Sequence, residues 1–154
     1  MDTTLELSSK TPQPADPNNL PTQTAKVNAA TTTVLLLRSL HAVLLPPTNT
    51  KQVPPRRVQA FTKQLLTASL HLPPKSARAV LALLQQVTKT HSNKIKALWD
   101  TEERRGDGVF NPLIGVESAN AGAATVWEGE LLRLHFDPAV KDSVKAVEKI
   151  AAEK

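Results

Sequence analysis

Three adjacent proline pairs, Pro46-Pro47, Pro54-Pro55 and Pro73-Pro74, with a further stop at Pro138, cut this chain into short lengths. Proline lacks an amide donor and fixes φ, so it ends one helix yet is tolerated in the first turn of the next. Between these stops the apolar residues recur at steps of three and four, and nowhere alternate as a strand requires. The run Thr33 to Leu45 is apolar on most sides and predicts a largely buried helix that begins within 28–33 and stops at Pro46. Val58, Phe61, Leu65, Ser69 and Leu72 form one face of a second helix. Ala77, Val80, Leu81, Leu84, Val87 and His91 do the same for a third. A short fourth helix is expected with Ser92 as its N-cap and Ile95, Leu98 and Trp99 as its apolar side.

Residues 100–117 interrupt the pattern. A charged run from Asp100 to Arg105 precedes a Gly106-Asp107-Gly108 turn. The apolar segment Val109 to Ile114 is expected to lie against the helices. A long helix is expected from about Ser118 to His135, with Val126, Trp127, Leu131 and Leu134 facing inward and Trp127 in the core. Asp137 followed by Pro138 reads as an N-cap with proline at the first helical position. Val140, Val144, Val147 and Ile150/Ala151 then mark the buried side of a last helix. Ahead of all this, Pro12, Pro14, Pro17 and Pro21 stand among polar residues, so 1–27 reads as a disordered or linker segment and 28–154 as the helical domain. The expected fold is all-α, an irregular HEAT/armadillo-like stack of antiparallel helical hairpins.

Charge is distributed by position. Residues 17–99 hold eleven lysines and arginines and no carboxylate, whereas 1–16 carry a net −2 and 100–154 a net −4. The middle therefore offers a basic surface to an anion, with RNA the commonest candidate and an acidic protein bound by a generic HEAT-like adaptor through residues 51–96 the alternative, or else a solubilising face. Arg56, Arg57, Lys63, Lys75, Arg78 and Lys89 lie off the apolar stripes of two consecutive helices, so their charges are expected to reach solvent as one patch. The acidic C-terminal part is the alternative claimant for those charges.

Chemistry-bearing constellations are absent from the sequence. There is no cysteine, so neither a disulfide framework nor a thiol nucleophile exists. The four histidines, His41, His71, His91 and His135, are not spaced as ligand pairs, and no metal or cofactor is expected. Glu128 and Glu130 project about 200° apart on a helix and cannot converge on one substrate. No glycine loop with a following Lys-Ser/Thr cradles phosphate. With no tyrosine and three phenylalanines there is no aromatic platform for stacked bases, so any RNA contact would run through Lys and Arg to phosphates. The polar N-terminus and short apolar runs predict a soluble intracellular chain with neither membrane nor small-molecule partner.

The residues Trp127-Glu128-x-x-Leu131-Leu132-x-x-His135-Phe136-x-Pro138 resemble the signature of the nucleolar complex-associated proteins, which share a CCAAT-binding-factor-type domain. Gly108-x-Phe110-x-Pro112 is similar to the glycine-aromatic-proline turn of that domain, and the helices around Leu36–His41, Arg57–Leu66 and Leu70–Pro73 look like those preceding the signature in one branch. The resemblance implies a non-enzymatic helical-repeat scaffold of the nucleolus and nucleus, acting in maturation and nuclear export of large (60S) ribosomal subunit precursors. It also implies nucleolar complex-associated protein 2 as a partner, contact with pre-ribosomal RNA, and a second role in DNA replication initiation. The signature residues are implied to be structural. Two departures stand out: Phe136 replaces a common tyrosine, and Gly129 stands where leucine is usual. A glycine inside a helix costs roughly 1 kcal/mol relative to alanine, so it signals a close approach or a locally weak helix.

Overall fold

A computed structural model of the protein describes residues 31–100 and 108–153. The expected linker at 1–27, most of the charged run and the Gly106-Asp107 turn lie outside these residues. Among the described residues six α-helices follow in order: α1 (Thr32–Leu44), α2 (Pro55–Ser69), α3 (Pro74–Thr90), α4 (Ser92–Ile95), α5 (Glu128–Arg133) and α6 (Pro138–Ala152). Short 3-10 turns occupy Thr50–Gln52, Lys96–Leu98 and Ala121–Ala123, and no strand occurs among the described residues.

Local chemistry sets most of these boundaries. Pro55 and Pro74 sit in the first turns of α2 and α3, where a missing amide costs nothing. Thr31 caps α1 by accepting from the Val34 amide at 3.4 Å, and Asp137 caps α6 by accepting from Ala139 at 2.8 Å. The connection from α2 to α3 is only four residues, so the two pack side by side, and α3 also packs against α1 and α6. The core forms around α3: Leu81, Leu84 and Val87 meet Leu44, Val58, Leu66, Ile95, Leu98, Leu132, Val140 and Val144. Each such leucine or valine contributes about 1.5–3 kcal/mol on leaving water.

Three expectations fail where tertiary contacts override local pattern. The first helix is not largely buried: only Leu40 and Leu44 are, while Val34, Leu35, Leu36 and Val43 remain exposed. Among the described residues it packs chiefly against α3, and its all-round apolarity leaves other sides uncovered. Ser92 is not an N-cap but the first residue of α4, with His91 in the cap position and no side-chain cap bond. His91 is instead buried, its Nε2 2.7 Å from the Leu44 carbonyl, tying the end of α3 to the end of α1.

The third failure is the long helix over 118–135, which contracts to Glu128–Arg133. The Val126 amide donates to the Leu98 carbonyl at 2.8 Å, so it is not available for a helical ladder. The Trp127 amide donates to the Glu128 carboxylate at 3.2 Å. Asn120 adopts a left-handed φ of 51°, and the Ala119 carbonyl accepts from Asn111 at 3.0 Å. Residues 108–127 are thereby laid along α2 as an irregular strap. Within it Ala119 and Ala121 are buried against Ala60, with Phe110 and Val116 packed on them, whereas Val109, Leu113 and Ile114 stay exposed.

Candidate functional site

The six cations expected to form one basic patch do not share one environment. Lys63 is buried, 3% exposed, and its Nζ donates to Glu128 Oε2 at 2.9 Å and to the Thr125 carbonyl at 2.6 Å. Glu128, 1% exposed, also accepts from Thr67 Oγ1 at 2.7 Å. The expectation that Lys63 reaches solvent is therefore wrong. It lies off the apolar stripe of α2, but the strap covers that side of the helix. Arg57 is drawn off in the same way, donating from Nη2 to Glu117 Oε1 at 2.7 Å. Arg56 is exposed beside Pro54 and Pro55, with Glu117 lining the same hollow.

Lys75, Arg78 and Lys89 behave differently. At 100° per residue they fall within about 60° of one another along α3. All three are exposed, as are Ala82 and Gln86 between them. Gln85, on the edge of this ridge, donates to the Ser143 carbonyl of α6 at 3.2 Å, and Leu83 is buried on the opposite edge, beside α1. The cations thus follow the solvent side of α3, spread over about 21 Å at 1.5 Å per residue. Arg38 of α1 stands across from Gln86. Among the described residues none of these four cations is paired with a carboxylate.

The signature residues divide into buried struts and exposed apolar groups. Leu132 is in the core, and Glu128 holds Lys63 and Thr67. His135 Nδ1 accepts from the Asp137 amide at 3.0 Å, and the ring shapes the turn into α6 at Pro138. Gly108 has φ +103°, and a Cβ there would meet Asn120 Nδ2 at 3.2 Å, which accounts for glycine at this turn. The Pro112 carbonyl accepts from Gln64 at 3.3 Å. By contrast Trp127 is 53% exposed, and Leu131, Leu134 and Phe136 are exposed too. The inward assignment of Trp127, Leu131 and Leu134 is overturned. The Glu128–Lys63 contact rotates α5 so that Glu128, Gly129 and Leu132 face inward instead. The Trp127 ring lies over the Lys63 ammonium at 5.2 Å, and Phe136 stacks on His135 at 4.4 Å.

A cleft of about 630 Å³ between α5, α6 and the turn after α4 is lined by Lys96, Trp99, Asp100, Glu130, Arg133 and Glu148. Its carboxylates are already engaged. Arg133 donates from Nε and Nη2 to Glu148 at 2.8 and 2.6 Å and also pairs with Glu130 at 3.4 Å. The hydrogen bonds donated to Glu148 and the charge of that carboxylate hold the guanidinium pKa above its ordinary value. Glu130 and Glu148 are therefore tied to one cation rather than poised for acid–base exchange. No group of three or more potential metal ligands occurs among the described residues. Lys94 was missed as a structural residue: its ammonium donates to the carbonyls of Thr50, Lys51 and Val53 at 3.2, 3.1 and 2.7 Å, closing the loop ahead of α2. Its desolvation pulls the pKa down. The pattern of a lone lysine carried no sign of this role.

This is an all-helical protein with a cationic outer face on its central helix. The chain belongs to the CBF/Mak21 family, whose model matches residues 20–144. It is 34% identical over 145 residues to nucleolar complex-associated protein 3 of Schizosaccharomyces pombe, covering 94% of this chain and 19% of that protein. To the Saccharomyces cerevisiae protein of the same name it is 31% identical over 153 residues, covering 96% of this chain and 22% of the relative. The human nucleolar complex protein 3 homolog is 39% identical over 92 residues, or 59% of this chain and 11% of that protein. The chain thus spans about a fifth of the length of the yeast relatives. These relatives mark it as a member of a nucleolar protein family, in the branch that its upstream helices resemble. No helix of the described residues is long and apolar enough to cross a membrane.

Proposed function

We propose that this chain is part of a non-enzymatic ribosome biogenesis factor, a scaffold on large (60S) subunit precursors in the nucleolus, with nucleolar complex-associated protein 2 as its protein partner. The observation that carries the RNA part of this reading is the ridge Lys75–Arg78–Lys89 on α3. Among the described residues its charges meet no carboxylate, while the acidic C-terminal half neutralises Arg57 and Lys63. A row of cations on a helix, without aromatic stacking groups, suits phosphate contacts that position RNA rather than read its sequence. Nucleolar relatives supply the setting, since the nucleolus is where such precursors are built.

The test uses the purified chain and fragments of large-subunit precursor RNA, titrated across salt concentration. Each neutralised phosphate adds about 0.7–0.9 to the slope of log K against log salt. Lys75→Glu with Arg78→Glu is expected to weaken binding across all RNA sequences, reduce the slope by about 1.5, and abolish co-sedimentation with precursor particles. Affinity unchanged by this double substitution, or insensitive to salt, removes RNA from the reading. Arg56 and Arg57 are poorer probes, because reversing them also breaks or crowds the Glu117 pair.

A further inference from the structure

We propose that the groove between α1 and α3 docks an acidic amphipathic helix from a protein partner. The apolar floor is independent of the RNA reading, while the cations of the α3 ridge are shared between the two. The groove, about 370 Å³, is floored by Leu37 and Leu83, walled by Val34, and rimmed by Arg38, His41 and Gln86. Val34 is 39% exposed although it sits beside buried Leu83, so apolar surface is left open between two packed helices. A water-filled trough of this kind leaves stabilisation unrealised until another apolar group enters it.

The charge around the groove selects the occupant. Among the described residues Arg38 has no carboxylate partner, His41 lies on the same side of α1, and Arg78 and Lys89 are exposed on the solvent side of the neighbouring α3. None of the described lining residues is acidic, and no carboxylate exists between positions 17 and 99. A basic helix would be repelled. RNA could meet the cations, but it has no use for an aliphatic floor and finds no aromatic ring to stack on. A helix with apolar residues at i, i+4 and i+7 and carboxylates on its flanks uses both features: the apolar stripe enters the floor and the acids meet Arg38 and the ridge.

The experiment places a photo-crosslinking phenylalanine analogue at Val34 of the full chain in host cells, with a control at Lys145 on the solvent side of α6. Extracts are treated with ribonuclease, and the crosslinked segment is mapped and synthesised as a peptide. The expected result is a protein segment of net negative charge with apolar residues at helical spacing, captured from Val34 and not from Lys145. Its affinity for the purified chain should fall about tenfold in Arg38→Glu and again in Val34→Glu, and should weaken with salt, while Lys145→Glu has no effect. Both groove substitutions are at exposed positions, and unchanged helical circular dichroism verifies that the fold survives. Crosslinks to RNA alone, to residues 1–16 of the same chain, to a second copy or to a basic segment overturn the proposal. So does the lack of any crosslink, or a mapped peptide indifferent to Arg38→Glu.

Discussion

The Lys63 ammonium and the Glu128 carboxylate, 65 residues apart in sequence, stand 2.9 Å from each other with both side chains almost wholly withdrawn from water. Desolvating two charges costs several kcal/mol each and is offset only when other hydrogen bonds complete the site. Here Thr67 Oγ1 and the Trp127 amide donate to the carboxylate, and the Thr125 carbonyl accepts from the ammonium. The pair pins α5 and the end of the strap onto α2, and so decides which side of α5 meets solvent.

Lys63→Met is accordingly expected to destabilise the chain by about 3–5 kcal/mol, because it leaves Glu128 buried without its cation. Lys63→Met combined with Glu128→Leu should recover much of the loss. Equilibrium urea unfolding measures both, and a single-mutant loss below about 1 kcal/mol would mean the pair is worth no more than a surface contact.

Trp127→Ala is expected to cost only about 1 kcal/mol. Its ring is half exposed and loses chiefly its contact over Lys63, a cation–π interaction of about 0.5–2 kcal/mol. Leu132→Ala, one turn on and fully buried, should cost about 2–5 kcal/mol. Reversal of this order in paired thermal melts would put the indole back in the core.

Gly129 resolves into a close approach rather than a weak point. A Cβ there would collide with the Glu148 carboxylate, which Arg133 holds in place. The obstacle is the tip of a flexible side chain, so Gly129→Ala should displace Glu148 at the expense of an exposed ion pair worth roughly 0–1 kcal/mol. Alanine regains about 1 kcal/mol of helix propensity. Stability should therefore stay within about 1 kcal/mol of the parent, while a double-mutant cycle between Arg133 and Glu148 loses its coupling.

Burial holds the His91 pKa below the ordinary 6.5, outweighing the hydrogen bond to Leu44, and Lys94 adds to the depression. The unfolded chain then takes up the proton more readily than the folded one. Stability is fully present above pH 6.5 and falls as pH drops below that value towards the folded pKa. Thermal melts between pH 7.5 and 5 should show this decline, and His91→Gln should show less of it. An equal decline in the variant would assign the effect to other groups.

Much of the candidate surface was legible in the sequence, but not its composition. Lys75, Arg78 and Lys89 lie off the stripe of α3, and that side of the helix stays open. Lys63 also lies off a stripe, yet a segment 62–65 residues downstream covers it. A helical wheel records angles about one axis and contains nothing about what packs from elsewhere.

The sequence by itself determined the joints and the last helix. Proline geometry is local, so Pro46, Pro55, Pro74 and Pro138 mark the ends or first turns of α1, α2, α3 and α6, and the stripe Val140–Val144–Val147–Ala151 is buried as its spacing requires. Only the tertiary structure decided the fate of residues 118–135. Their alanines and apolar spacing favour a long helix with Trp127 inside. The Val126 amide goes instead to the Leu98 carbonyl, and Glu128 goes to Lys63. A backbone donor and a buried charge must each be satisfied, and partners that distant exist only once the chain has folded.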